Sequence, residues 1–262
     1  MKFLHISDLH KLNDYTDKGG IYHNILERMS DPFAQLKKLL RNRDDVFDFV
    51  IVSGDICEYG DAEDYLSVKK QLECLFSCPV FVCSGNHDNK EKLIQVFGKK
   101  TVQGELFEEI LLDEIRIILF DSSHPEYNDG YISGQTCALL KETLDRECSL
   151  PTIAVTHHHL LKEQFAMPCA AYPKEFQDIV AGSDLLAILT GHTHHIYHGT
   201  FAGKEYHTTG SLSFAADTTE QGLRFYEHPS AVIYTYDQGK LIWEDLDSKE
   251  KDKELELWIE DR

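Results

Sequence analysis

The sequence predicts an α/β fold in which a single domain contains two β-sheets, and three observations carry that expectation. Short apolar runs rich in β-formers alternate with segments of helical periodicity as far as Thr190, the pattern of a sheet built largely from βαβ units. From about Ile196 the texture changes to alternating strands with small turns, which predicts a second, antiparallel-rich sheet. No internal repeat, low-complexity stretch or linker divides the chain.

Taken in order, residues 2–7 (KFLHIS) read as the first buried strand. Residues 11–30 follow with weak periodicity and unusual length for a strand-to-helix connection, so they form either a lid beside a site or a surface loop turning at Gly19-Gly20. Asp31-Pro32 then reads as an N-cap with proline at N1, and Phe33, Leu36 and Leu40 make one apolar helix face. Residues 49–53 (FVIVS) are the next strand, and Tyr65, Val68, Leu72 and Leu75 repeat the helical spacing after Asp61. Residues 80–84 (VFVCS) are a third strand, followed by Leu93, Ile94 and Phe97 on a helix stopped at Gly98. Further strands are expected at 115–120 (IRIILF), 152–156 (TIAVT) and 185–190 (LLAILT), with a helix marked by Leu139, Leu140 and Leu144. Residues 230–237, the turn Gln238-Gly239 and residues 240–243 read as a hairpin. The domain therefore runs over 1–247. Residues 248–262 form a charged C-terminal extension carrying Leu255, Leu257, Trp258 and Ile259, as a docked segment, an oligomer contact or a frayed end.

An apolar content of 42 % suffices for a core in a chain of 262 residues. Against 45 acidic residues stand 26 basic ones, a net charge of −19, which excludes the basic surface that general nucleic-acid binding requires. The first ten residues, MKFLHISDLH, lack the apolar stretch of a signal peptide, and no run of about 18 apolar residues occurs. A soluble cytoplasmic protein with no membrane partner is expected. Seven cysteines, odd in number and without a CxxC pair, predict reduced and mostly buried thiols. The anomaly is histidine: fourteen residues, bunched at His157-His158-His159 and His192-Thr193-His194-His195, which is a reason to look for metal.

Five of the six buried runs end directly at a polar cluster: Asp8-Leu9-His10, Gly54-Asp55, Gly85-Asn86-His87-Asp88, His157, and Gly191-His192-Thr193-His194. Ligands of open α/β sheets bind beyond the carboxyl ends of the strands, where these clusters lie. Taken singly each has an ordinary explanation, such as a turn or a satisfied core histidine, but five in register with the strands do not. Oxygen and nitrogen donors without thiolate suit manganese, iron, zinc or cobalt rather than calcium. Asp55 is the natural shared carboxylate, because the seven candidate ligands fill two four-ligand sites only if one is common to both.

At these residues the chain resembles the calcineurin-like metallophosphoesterase superfamily, whose pattern D-x-H, G-D, G-N-H-D/E, H, G-H-x-H occurs here complete and in order over roughly the first 215 residues. The resemblance implies a four-layer α/β/β/α sandwich of two mixed sheets flanked by helices. It also implies two divalent or trivalent ions, with Asp8, His10 and His194 holding one, Asn86, His157 and His192 the other, and Asp55 bridging. His87 is the implied catalytic residue, with Asp88 either orienting it or capping the helix near Lys90. Asn86, His87 and His194 also face the substrate in this reading. A metal-bridging hydroxide then attacks the phosphorus of a small phosphoester. His158 and His159 are expected to be supporting or structural, and His124, His195, His198 and His207 have no motif position.

The wording around the motifs is most similar to the bacterial class III cyclic-nucleotide phosphodiesterases, through GDICEYGDAEDY (54–65), CPVFVCSGNHD (78–88) and FDSSHP (120–125). Cys57, Glu58 and Asp88 depart from the protein-phosphatase branch. The resemblance implies phosphodiester hydrolysis of a small nucleotide such as 3′,5′-cyclic AMP, and related enzymes are often homodimers. Other phosphoesters (a nucleotide-sugar, a lipid-linked pyrophosphate, a phosphomonoester) and a non-enzymatic scaffold are the alternatives. The group usually continues its histidine motif as His-His-Pro-Pro, whereas this chain reads His157-His158-His159-Leu160, a departure that bears on base recognition rather than on metal binding.

Overall fold

The computed structural model describes residues 1–16, 23–124, 126–165, 167–220, 222–250 and 252–258. The first half of the chain builds β1 (Lys2–Ile6), α1 (His23–Arg28), α2 (Pro32–Leu39), β2 (Phe49–Val52), α3 (Ala62–Leu75), β3 (Val80–Val82), α4 (Lys90–Phe97), β4 (Thr101–Val102), β5 (Glu105–Leu111) and β6 (Arg116–Phe120). The second half builds α5 (Gly134–Asp145), β7 (Thr152–Val155), α6 (Lys174–Gly182), β8 (Leu185–Thr190), β9 (Tyr197–Phe201), β10 (Lys204–Thr208), β11 (Ala215–Thr219) and β12 (Gly222–Glu227). It closes with β13 (Ser230–Asp237), β14 (Lys240–Asp247) and β15 (Lys253–Trp258).

Two large mixed sheets result, in the orders β14-β13-β1-β2-β3 and β4-β5-β6-β7-β8-β10-β9. The six runs legible in the sequence are divided between them: β1, β2 and β3 pair in parallel in one, β6, β7 and β8 in the other. The expectation of one βαβ sheet followed by an antiparallel one is corrected here. The late strands are shared out, β13 and β14 extending the first sheet and β10 and β9 the second.

Strand alternation explains why the sheets stack. Phe3, Phe49 and Ile51 point to the layer between the sheets, where they meet Ile117, Leu119, Ile153, Val155 and Leu189 of the second sheet. Leu4, Ile6, Val50 and Val52 point the other way and are covered by Phe33, Leu36, Tyr65, Val68, Leu72 and Leu93 of α2, α3 and α4. Ile118, Phe120 and Ile188 are likewise covered by Leu140, Phe176 and Val180 of α5 and α6. The architecture is thus the four-layer α/β/β/α sandwich, with strands buried on both faces as parallel strands require. Asp31 caps α2 through the N–H groups of Phe33 and Ala34, Asp61 and Asp64 form a capping box on α3, and Gly98 closes α4 in the left-handed region at φ 66°.

A small third sheet, β11-β12-β15, contains the strand formed by the C-terminal extension. Leu255 of that strand packs with Ile25 and Leu26 of α1 and with Phe214 and Phe225. Arg28 Nη1 donates to the Leu255 carbonyl and Lys253 Nζ to that of Arg28. Of the two segments left open by the sequence, 11–30 and 248–262, the described parts that form α1 and β15 therefore fold against each other, while Ile259 lies outside the described residues. Residues 17–22, where the lid or glycine turn was expected, lie outside the described residues. All seven cysteines are free; Cys57, Cys83 and Cys137 are buried and Cys74 is exposed, so burial is less general than expected.

Candidate metal centre and cleft

All five clusters arrive at one place. The loops after β1 and β2 continue pairing beyond the strands, with Asp8 N–H donating to Gly54 O (3.1 Å) and His10 N–H to Asp55 O (3.0 Å). The two sheets are joined at the same level: His192 N–H donates to Asp8 Oδ2 at 3.0 Å, and His157 Nδ1 donates to Ser53 O at 2.8 Å. This junction leaves no room for a side chain at Gly191, where a Cβ would lie 2.1 Å from Ser7 Oγ. Gly54 is equally confined, since its Cβ would lie 2.5 Å from His157 Nδ1.

Aiming the ligands inward strains the backbone. Asp8, His10, Asp55, His192 and His194 all have positive φ, between 47° and 71°. Each non-glycine residue held there costs on the order of 1 kcal/mol, and such costs concentrate at functional sites. Hydrogen bonds hold the distortion in place at Asp8, whose carbonyl accepts from Ser211 Oγ and Ser213 Oγ at 3.0 and 2.8 Å.

The structure brings the donor atoms of several expected residues within reach of one another. Asp8, His10 and His194 form one cluster of potential ligands, and Asp8, Asp55 and His157 an overlapping one. His157 Nε2 lies 3.2 Å from Asp55 Oδ2, His194 Nε2 lies 3.3 Å from Asp8 Oδ1, and His10 Nε2 lies 3.7 Å from Asp55 Oδ2. A third cluster joins His157 and His192 with His158, whose Nδ1 is held by Ser122 Oγ at 2.8 Å. Among the described residues twelve buried side-chain atoms have no hydrogen-bond partner, and four of them gather on the expected ligands: Asp8 Oδ1, His10 Nε2, Asn86 Oδ1 and His157 Nε2. Buried polar atoms are otherwise almost always paired, so these fit cations. The opposite ring nitrogens are anchored to Glu58 (His10), Ser53 O (His157) and Phe214 O (His194), the arrangement that fixes ligating imidazoles. Together the overlapping clusters constitute a binuclear divalent-metal site.

Electrostatics agree with ligation at Asp55 and His192, whereas at His157 burial is overcome by Asp55, which raises its pKa to about 9, so that this ring gives up a proton to an incoming cation. Burial pushes the Asp55 carboxyl up, but His157 and His87 outweigh it and hold it well below the ordinary carboxylate range. Burial and neighbouring imidazoles keep His192 and His158 far below the usual histidine value, hence neutral. Neutral imidazoles and ionised carboxylates are the forms that bind metal.

His87 lines the cleft beside this centre, but its partner is not the expected one. Its Nδ1 lies 2.9 Å from Glu58 Oε1, while Glu58 Oε2 lies 2.6 Å from His10 Nδ1. Burial would raise the Glu58 pKa; the two histidines bring it down to about 2 instead. Burial lowers that of His87, and Asp55 and Glu58 overcome this and raise it to about 9. Asp88 neither orients His87 nor caps α4, a correction with a simple cause. Its carboxylate turns into the protein and accepts from Gly85 N (2.9 Å), Ile56 N (3.1 Å), Cys57 N (3.0 Å) and Tyr65 Oη (2.9 Å), bracing two ligand loops together. Asn89 caps the helix. Burial, then the charge of Asp55, raises Asp88 to about 7.

The cleft has a volume of about 370 Å³, within the range of small-molecule sites. Its floor is His10, Asp55, Asn86, His87, His192 and His194. Its walls are apolar on one side, with Phe165, Met167, Phe214, Leu223 and Phe225, and polar at Asn128 and Asp129. Leu223 and Phe225 belong to the small sheet that the C-terminal strand completes. His195 donates to or accepts from no ligand atom; its Nε2 meets Ala216 O at 3.2 Å. His158 and His159 are fully buried behind the floor.

Comparison with known proteins gives the same direction. The profile of the calcineurin-like phosphoesterase family matches residues 1–195. The chain is 27 % identical over 250 residues to the 3′,5′-cyclic adenosine monophosphate phosphodiesterase CpdA of Haemophilus influenzae, covering 90 % of this chain and 88 % of that protein. It is 26 % identical to the glycerophosphodiester phosphodiesterase GpdQ of Enterobacter lignolyticus, covering 75 % and 72 %. A dimetal phosphatase from Danio rerio shares the fold with a TM-score of 0.60 at 13 % identity, covering 97 % of this chain and 98 % of that one. Among the described residues no helix is long and apolar enough to cross a membrane.

Proposed function

The chain belongs to the calcineurin-like phosphoesterase family and is a metal-dependent hydrolase, and from that premise we propose that it is a phosphodiesterase for small nucleotides, 3′,5′-cyclic AMP among them. The observation that carries the reading is the gathering of unpartnered, buried ligand atoms in and just beneath the floor of a cleft, lined by His10 and Asn86, that also contains His87 and an apolar wall. In this reading Asp8, His10 and His194 hold one ion, Asn86, His157 and His192 the other, and Asp55 both. Two such ions supply an activated water and neutralise charge on the phosphate.

The chain's own residues do the rest. Asp55 and Glu58 favour the protonated form of His87, and with Nδ1 committed to Glu58 the proton it gives to the departing oxygen is the one on Nε2. Asn86 and His194 position the phosphate beside it. Phe165, Phe214 and Phe225 offer flat apolar surface to a base, while Asn128 and Asp129 offer hydrogen-bonding groups to its edge. This division of the walls favours a nucleotide over a substrate without a base. The similarity to a glycerophosphodiester phosphodiesterase supports a second reading, in which the alcohol is glycerol-like.

The test is manganese-loaded turnover of bis(p-nitrophenyl) phosphate, p-nitrophenyl phosphate, 3′,5′-cyclic AMP and a glycerophosphodiester, side by side, with a metal-stripped control. Metal-dependent cleavage of diesters over the monoester, with cyclic AMP the better natural substrate, is expected. Preference for the monoester would overturn the phosphodiesterase reading, and preference for the glycerophosphodiester would select the second.

A further inference from the structure

Two histidines without a motif position face each other on neighbouring strands. His198 of β9 and His207 of β10 are direct cross-strand partners, and their Nδ1 atoms are 2.6 Å apart. The far nitrogen of each ring is turned to a carboxylate: His198 Nε2 lies 2.7 Å from Asp245 Oδ1 and His207 Nε2 lies 3.3 Å from Glu205 Oε2. A carboxylate accepts only, so it selects the tautomer with hydrogen on Nε2 and leaves a lone pair on Nδ1. Applied to both rings, this directs two lone pairs at one point, an arrangement that calls for a positive atom between them.

We propose that His198 and His207 bind a divalent transition-metal ion, with zinc as the representative, through their Nδ1 atoms. The carboxylate-to-imidazole contacts are those that orient ligating histidines elsewhere in proteins and raise their basicity. Imidazole pairs suit zinc and its neighbours, and water completes the coordination. Zinc-to-nitrogen bonds of about 2.0–2.1 Å at a tetrahedral angle put the nitrogens about 3.3 Å apart, so the rings open by less than about 1 Å on binding. His198, on the more exposed side of the pair, can supply that movement. His207 is fully buried, packed edge-on against Trp243 and Tyr234. Burial, reinforced by His198, lowers its pKa to about 3, so it stands as the free base that a metal needs. The competing occupant is a single shared hydrogen.

The experiment counts zinc in the full-length chain at equilibrium with low-micromolar zinc, by dialysis and elemental analysis. Wild type is expected to hold one ion more per chain than His198→Ala, whatever the binuclear centre contains, and His207→Gln to match His198→Ala. Asp245→Asn should bind the additional ion roughly 10-fold more weakly without abolishing it. Trp243 gives an independent signal, since its ring centroid is 4.4 Å from that of His207: copper should quench its fluorescence in wild type and not in His198→Ala. Because His198 is half-buried at the edge, its alanine variant keeps the proposal testable even if His207→Gln fails to fold. Equal metal content in wild type and His198→Ala would overturn the proposal, and the pair would then share only a hydrogen.

Discussion

Glu58 holds His87 in place: its Oε1 lies 2.9 Å from His87 Nδ1, and its other oxygen is bound to a metal-ligand candidate, His10. One carboxylate thus sets the orientation of the proposed acid and of a proposed metal ligand. Glu58→Gln keeps the shape and removes one of the two charges, beside that of Asp55, that raise the pKa of His87. Its kcat is expected to fall roughly 10- to 100-fold with KM little changed and manganese still bound at saturation. Steady-state kinetics with elemental analysis checks this, and a change in KM alone would assign Glu58 to binding instead.

Removing metal should cost stability as well as activity. With Asp8 Oδ1, His10 Nε2, Asn86 Oδ1 and His157 Nε2 buried and unpartnered, each ion at about 100 times its Kd contributes about 2.7 kcal/mol. For a chain of this size that corresponds to a fall in Tm of roughly 5–10 °C for each ion removed by chelation. Calorimetry of manganese-loaded and chelated protein measures it.

Gly85 lies against the proposed bridging residue, where a Cβ would be 2.1 Å from Asp55 Oδ1 and 2.5 Å from its backbone nitrogen. Gly85→Ala is therefore expected to displace Asp55, lower metal content and destabilise by about 1–3 kcal/mol, the range for overpacked sites. Metal content and urea unfolding, compared with wild type, report both effects.

If the apolar wall receives a base, shortening it should discriminate between substrates. Phe165→Ala is expected to raise KM for cyclic AMP about 10-fold, equivalent to about 1.4 kcal/mol, and to leave that for a glycerophosphodiester within about 2-fold. Equal effects on both would place Phe165 in general packing against His159 and His195.

A pH test is available away from the metals. Burial would raise the Asp31 carboxyl, but Lys11 at 2.8 Å and the N–H groups of Ala34 and Phe33 hold it below its ordinary value. A lowered folded-state pKa adds stability above the unfolded value, about 3.9, and the contribution is lost as pH falls through the folded one. Asp31→Ala should cost about 1 kcal/mol near pH 7, and its gap to wild type should narrow only below about pH 4. Denaturant melts across that range test the sign.

The centre was legible because its information is local. Each expected ligand directly follows an apolar run, and strand ends in an α/β sheet are where ligands collect. Glu58 was not, since nothing in its own segment says that a side chain three residues past Asp55 reaches both His10 and His87. Asp88 misled for the converse reason: adjacency to His87 in a tight turn sends the two side chains apart, one to the cleft and one to the backbone amides of 56 and 57. The split of six parallel strands into three and three was illegible because both sheets are buried on two faces, so their strands carry the same apolar pattern. β5 was missed through its acidic spacing and α6 because Pro173 offers it no side-chain cap.

The seam between the two sheets turns the centre into a gauge. Asp8, Asp55 and Asn86 come from one sheet, while His157, His192 and His194 come from the other, and the His192-to-Asp8 bond spans 184 residues of sequence. A fragment or a partly unfolded state that keeps only one sheet therefore has an incomplete version of each proposed ligand set, split three to one between the sheets for Asp8, His10, Asp55 and His194 and two to two for Asn86, Asp55, His157 and His192. Ion release should then track loss of register between the sheets, and a metal-sensitive dye would report, in real time, when the two halves of the molecule part company.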